Sequence, residues 1–247
     1  MGVVGDTWTW LTTGSHWHGP DGVWHRLGEH LFLTFVSLGI ASAVALPVAV
    51  LLGHLGKGGA IAVNISNVGR AVPTFAVLVL LLIGPLRTYG DLPTIIALVL
   101  FAVPPLMTNA YVGMREVDRE VVEAARGMGM TGWQLVGRVE LPLAFPLIMT
   151  GVRLAAVQVV ATTTIAAPAG GGGLGRIITA GFRLTDTPQV VAGAVLVAGL
   201  ALLVEAVFMI VERAGDPMRR RAGRRAAAAR RRPPADQAPP APAVTGG

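Results

Sequence analysis

Apolar residues in this chain gather into five long stretches, at about residues 31–53, 61–84, 92–114, 143–166 and 188–212. Each is long enough for a helix to cross a bilayer, which takes about 20 residues. The first and third contain no charged side chain. A chain patterned in this way packs its helices against each other and against lipid rather than burying a core from water. The pattern therefore predicts an all-α integral membrane protein of about five transmembrane helices over residues 31–212. A segment 1–30 precedes it and a tail 213–247 follows.

Between the third and fourth stretches, residues 115–141 are polar and patterned differently. Val117, Val121, Ala124, Ala125 and Met128 recur at three- and four-residue steps, with Glu116, Asp118, Glu120, Glu123 and Arg126 on other faces. That spacing predicts an amphipathic helix. Gly127 and Gly129 are placed to form a sharp turn, because glycine reaches positive φ at little steric cost. Thr131, with Gln134 three residues later, has the form of a capping box opening a second helix. Pro142 is expected to mark the start of the next element. Periodicity alone fits a docking knob for a soluble partner and an ordinary connecting loop equally well.

The spacing Glu123-Ala124-Ala125, Gly129, Val139, Leu141-Pro142 resembles the EAA signature of the permease subunits of bacterial ABC importers. It departs in carrying Val139 where the pattern most often has isoleucine. The resemblance implies a MetI-like fold and identifies the loop as a coupling helix that inserts into a groove on a separate ATPase subunit. It further implies that the glycine and the Glu-Ala-Ala face are mechanically important. Over about residues 24–213 the likeness extends to His30-Leu31-Phe32-Leu33-Thr34, Gly69-Arg70-Ala71-Val72-Pro73-Thr74 and Gly171–Gly175. These runs are similar to the osmoprotectant permeases that import glycine betaine, choline, carnitine or proline betaine. Methionine and polar amino-acid permeases share the same plan and stand as the alternative. Further implied are an extracellular solute-binding protein, a second permease subunit (identical or a sister chain) and ATP bound on the partner rather than on this chain.

Composition agrees with the hydropathy pattern: charged residues make up 14 % and hydrophobic residues 53 %, against about 25 % charged in a typical soluble domain. Orientation follows from Lys and Arg in the connections. One set (54–60, 115–141 and the tail after 212) holds Lys57, Arg115, Arg119, Arg126, Arg138 and nine tail arginines. The other (1–30, 85–91 and 167–187) holds Arg26, Arg87, Arg176 and Arg183. The coupling loop and C-terminus are thus expected in the cytoplasm of a bacterial plasma membrane protein, with the N-terminus outside. Five spans require that opposition. No Lys or Arg precedes Arg26, so no cleaved leader is expected.

Four of the five tryptophans (Trp8, Trp10, Trp17, Trp24) fall in the outer segment, where amphipathic rings suit a membrane surface. The fifth, Trp133, lies in the coupling loop and either packs the turn or touches the ATPase. The tail runs through Arg219–Arg221, Arg224-Arg225 and Arg230–Arg232 before turning Pro/Ala-rich. It is too poor in apolar residues to fold and is placed to contact anionic lipid; nucleic acid, the competing partner for an arginine run, is not expected for a membrane-tethered tail with no folded reader domain.

Apparent catalytic motifs fail. Gly170, Gly172 and Gly175 satisfy G-x-G-x-x-G within a glycine run that no strand precedes, so no dinucleotide site is expected. Gly56-Lys57 is followed by Gly58 instead of Ser or Thr, so no phosphate-binding loop is expected either. The run from Ala169 to Gly175 reads as a flexible outer loop. His16 and His18, with His25 and His30 nearby, lack a carboxylate or cysteine to complete a metal set.

Ionisable groups inside spans are costly and therefore informative. Arg153 sits about ten residues into the fourth span and Glu205 about seven from the inner end of the fifth, depths of roughly 15 and 10 Å. They are expected to pair between helices. Gln158, Thr162, Thr163 and Thr164 form the most polar stripe of the fourth span and are candidates for the translocation pathway. Threonine hydroxyls also satisfy their own helix. Phe35, Phe75, Phe101 and Tyr111 are assigned to core packing. A secondary transporter would need coupling-ion sites or internal repeats, and a membrane enzyme would need clustered His, Asp, Glu or Cys. Apart from Arg153 and Glu205, neither pattern stands out in the sequence.

Overall fold

The computed structural model describes residues 2–60, 64, 69, 73–169 and 171–215. Within these, every regular element is helical. A short helix α1 (Val3–Thr12) leads through a 3-10 turn (Gly14–His16) to α2 (Val23–Leu55). Next come α3 (Thr74–Ile83) and α4 (Leu92–Arg115), then α5 (Arg119–Gly127) and α6 (Gly132–Leu135). A π-helical turn, Val136–Glu140, joins α6 to α7 (Leu141–Ala166), and α8 (Gly175–Leu184) and α9 (Thr187–Gly215) follow.

Four helices are long and apolar enough to cross a membrane: Val23–Leu55, Leu92–Arg115, Gly132–Ala166 and Thr187–Gly215. Four of the five predicted spans thus appear as helices that outrun their hydropathy stretches at one or both ends. Of the expected span 61–84, only α3 and isolated residues fall among those described. Asn67, Arg70, Gly170 and the tail from residue 216 on, including its arginine runs, lie outside the described residues.

Packing centres on α2, α4 and α7, which contact one another, with α9 against α7 and α8, and α1 against α9. Their seams are built from small residues. Ala41, Ala45 and Ala49 of α2 recur every four residues and are all buried, as are Ala102 and Ala110 of α4 and Ala155 and Ala156 of α7. A Cβ at Gly151 would stand 2.6 Å from the Asn109 Cβ, and one at Gly53 2.5 Å from that of Met114. Backbones approach this closely because lipid supplies no hydrophobic drive between helices, so van der Waals contact must. Large apolar side chains point outward instead, among them Phe32, Val44, Leu80, Leu100, Leu202 and Leu203. An outer surface of this kind suits hydrocarbon, not water.

Phe35 and Phe75 belong to that outer surface, which corrects their assignment to the core. Only Tyr111 of that group packs against the main cluster. Segment 1–30 is ordered throughout its described residues. Trp10 stacks on His16 with ring centroids 4.4 Å apart, and Trp17 donates from Nε1 to the Leu11 carbonyl at 2.7 Å. Trp8 and Trp24 stay exposed.

Candidate coupling site

The 115–141 loop folds as two helices around a glycine turn, with side chains capping both N-termini and backbone bonds closing the first C-terminus. Asp118 caps α5 by accepting the Glu120 N–H at 2.9 Å. Val117 and Val122 stand at N′ and N4 and share one apolar cluster, the arrangement of a hydrophobic staple. At the other end the Gly129 N–H bonds the Arg126 carbonyl (2.9 Å) and the Met130 N–H bonds the Ala125 carbonyl (3.3 Å). Those two bonds define a Schellman motif with Gly129 at C′ and φ +82°. Gly127 is helical, so the left-handed turn falls on Gly129 alone. Thr131 and Gln134 form a capping box, Gln134 N–H to Thr131 Oγ1 at 3.4 Å and Thr131 N–H to Gln134 Oε1 at 3.0 Å.

The buried face differs from the expected stripe. Val117, Val122 and Ala125 point inward, whereas Val121, Ala124 and Met128 are exposed. The helix starts at Arg119, after its Asp118 cap, so Val117 lies outside the helical register on which the stripe was counted. Inside, the knob packs against Met114 of α4, Ala144 of α7 and Val50 of α2. Outside, it presents Val121, Glu123, Ala124, Met128 and Trp133, the last two 78 % and 82 % exposed. Trp133 therefore does not pack the turn.

Pro142 stands in the first turn of α7, where the α-helical stretch begins. The helix runs unbroken in direction from Gly132 to Ala166, and the π turn Val136–Glu140 immediately precedes the proline. Proline lacks an N–H and crowds the carbonyl four residues back, and a locally widened turn relieves both problems. Val139 and Leu141 line the inner cluster from this segment. The fourth span and the second coupling helix are thus one body.

Sequence reasoning missed a buried pair at this point. Glu140, only 2 % exposed, ends the π turn, and its Oε2 lies 2.6 Å from Nδ1 of His54 in the last turn of α2. The partners are 86 residues apart in sequence. One signal was available: a carboxylate between Val139 and Leu141, in an otherwise apolar register.

Deeper in the bundle, Arg153 Nη1 donates to Glu205 Oε1 at 3.1 Å. Glu212, which the sequence reading did not single out, is a second carboxylate, 3.6 Å from Arg153 Nε. In the polar stripe, Thr162 donates to the Gln158 carbonyl and Thr163 to that of Val159, both at 2.8 Å. Their hydroxyls are thus engaged with their own helix. Thr164 Oγ1 is buried without a hydrogen-bond partner among the described residues. Gln158 alone of the four borders a recess of about 290 Å³, with Phe101, Asn109 and Leu154.

At the opposite end, the described part of the glycine run is clamped, which corrects its reading as a flexible loop. Glu29 Oε2 accepts the Gly173 N–H at 2.8 Å and an Arg26 Nη1 bond at 2.9 Å. His30 Nδ1 accepts the Leu174 N–H (3.2 Å) while its Nε2–H donates to the Val160 carbonyl (3.0 Å). This pattern assigns the neutral Nε2–H tautomer. A Cβ on Gly172 would meet Glu29 Oε2 at 2.9 Å.

Residues 38–217 match the family model for the binding-protein-dependent transport system inner membrane component. The chain is 34 % identical over 193 residues to the glycine betaine/carnitine/choline transport system permease protein OpuCB of Bacillus subtilis (strain 168), covering 78 % of this chain and 88 % of that protein. It is 40 % identical over 177 residues to the carnitine transport permease protein OpuCB of Listeria monocytogenes, covering 72 % and 80 % respectively. Among solved structures, the MetNI methionine ABC transporter in an inward-facing conformation superposes with a TM-score of 0.67. Identity there is 26 %, over 78 % of this chain and 95 % of that one. With the same fold, and relatives above 30 % identity over most of its length, the chain belongs to the binding-protein-dependent transport permeases, the membrane-spanning subunits of ABC importers.

Proposed function

We propose that this chain is the permease subunit of an ATP-driven importer for quaternary-amine compatible solutes of the glycine betaine, choline and carnitine type. The observation that carries the solute class is the naming of relatives 34 % and 40 % identical for glycine betaine, carnitine and choline transport. Methionine or a polar amino acid is the alternative cargo, favoured by the likeness to a methionine transporter at the lower identity of 26 %.

Transport proceeds by alternating access. A loaded binding protein docks outside, two permease subunits enclose the path, and ATP closes two ATPase subunits in the cytoplasm. The exposed Val121, Glu123, Ala124, Met128 and Trp133 enter a groove on the ATPase. Gly129 sets the angle of this knob, and Ala125, Val139, Leu141 and Pro142 fasten it to the fourth span. The excess of Lys and Arg in the coupling loop and tail supports their cytoplasmic location. Tail arginines lie against anionic lipid, each worth roughly 1 kcal/mol near the surface.

The pathway runs past the polar stripe Gln158, Thr162, Thr163 and Thr164. Gln158, which lines the recess together with Phe101, is the member best placed to touch solute. The pair Arg153 and Glu205 locks α7 to α9 within the membrane. ATP-dependent uptake of labelled glycine betaine and choline, in vesicles carrying the ATPase and binding protein, tests the assignment. ATP-dependent uptake of labelled methionine, with none of glycine betaine or choline, would discard the solute class and keep the mechanism.

A further inference from the structure

The inner and outer polar anchors described above sit at opposite ends of one helix. α2 spans 33 residues, about 50 Å at 1.5 Å per residue. His54, in its last turn, is bonded to Glu140. Glu29 and His30, near its outer end, hold the backbone of Gly173 and Leu174. Pro47 interrupts the hydrogen-bond ladder between them without ending the helix.

The inner anchor is shaped to resist slip. Most contacts between the coupling knob and the spans are apolar, through Val50, Met114, Ala144 and Ile148, and apolar surfaces slide at little cost because dispersion is not directional. The His54–Glu140 bond is short, buried and directional. The imidazole is also bracketed: its Nε2 edge lies 3.6 Å from where a Cβ on Gly132 would stand. His54 thus lies beside the first residue of α6 and is bonded to the last residue of the π turn. Any tilt of α6 carries the end of α2 with it.

We propose that His54 and Glu140 are positioning residues for energy coupling. They tie α2 to the ATPase-facing segment, so that its displacement travels along α2 to the strap Gly171–Leu174 at the outer face. This rests on the importer reading and adds a specific route to it. Motion of the coupling segment has a direct path into α7, with which it is continuous. The His54–Glu140 bond gives it a second path, into a helix that is separate in sequence.

Replacing both partners with apolar residues removes the bond without leaving a charge buried, which is tolerated far better than removing one partner. The test is the complete complex in proteoliposomes, comparing the parent with His54→Leu/Glu140→Leu. Uptake of labelled glycine betaine, choline or carnitine and phosphate release are measured in the same vesicles. The chain contains no cysteine, so a single Pro168→Cys beside the strap reports outer-face motion by its maleimide labelling rate, with and without vanadate-trapped nucleotide. The double variant is expected to assemble and hydrolyse ATP, but to move at least fivefold less solute per ATP. Its nucleotide-dependent change in labelling should shrink to under twofold. A parental transport ratio with an unchanged labelling response overturns the proposal. Should the double variant fail to assemble, Glu140→Gln keeps the volume and removes the charge. A threefold loss in solute per ATP is then expected, and an unchanged ratio overturns the proposal. A parent complex that hydrolyses ATP and moves none of the three solutes overturns the solute class alone, and the labelling response then decides the coupling role.

Discussion

Gly129 sits at φ +82° with open space where a Cβ would go. The requirement for glycine there is therefore conformational, not steric, and an ordinary L residue costs about 1–2 kcal/mol. Gly129→Val should lower the thermal midpoint in detergent by several degrees, at roughly 2–4 °C per kcal/mol for a chain of this size. Gly129→Asn, which tolerates the left-handed region, should stay near the parent. Arg153 makes a second residue-scale case. Arg153→Met leaves Glu205 and Glu212 without their shared cation. A loss of about 1–3 kcal/mol is expected, less than the 3–5 kcal/mol of a fully buried pair because these side chains keep partial exposure. Adding Glu205→Leu should restore most of it in the same melt, and a simply additive loss would contradict the pairing. Arg153 and Glu205 stood out in the sequence because charges are rare inside spans. Glu212 did not, because it closes the last apolar stretch and reads as an end-marker. His54 and Glu140 were hidden for a different reason: nothing local links residues 86 positions apart.

Elements were legible where one short-range rule dominates. Hydropathy located the long helices, and the Thr131–Gln134 capping box stood where its spacing put it. Counting a stripe failed in α5 because Asp118 starts the helix one residue after Val117, leaving Val121, Ala124 and Met128 outward. Pro142 stands in the first turn of α7, and what its spacing did not show is the π turn that joins that helix to α6 without a break. The two faces of the coupling element give a clean contrast. Trp133→Ala and Met128→Ala should leave the melting curve unchanged while weakening ATPase co-purification. Trp133, as an exposed aromatic, is expected to behave as a hot spot worth about 2 kcal/mol or more. Val122→Ala should do the opposite first, lowering stability through lost packing in the inner cluster. Between spans, Gly151→Ala forces α4 and α7 apart, since its Cβ would stand 2.6 Å from the Asn109 Cβ and 3.1 Å from the Pro105 carbonyl oxygen. Overpacking of this kind costs about 1–3 kcal/mol, visible as an earlier melt.

For the whole molecule, small residues inward and large apolar residues outward make a bundle that is stable in lipid and unsuited to water. As a permease of its family the chain has no catalytic centre and binds no cofactor of its own, so ATP is the partner's. Sequence alone carried the membrane class and the two-helix form of the 115–141 loop, since both rest on local composition and spacing. The way α2 reaches both Glu140 at one end and the Gly173–Leu174 backbone at the other depends on which helix ends meet, which no local pattern encodes. The most direct test of the central claim is uptake of labelled glycine betaine and choline into vesicles holding the chain, its ATPase and its binding protein, with and without ATP. Uptake should require all three components and ATP, and Trp133→Ala should reduce it in proportion to lost ATPase binding. Solute entry that ignores ATP, or survives without the ATPase subunit, would contradict the account.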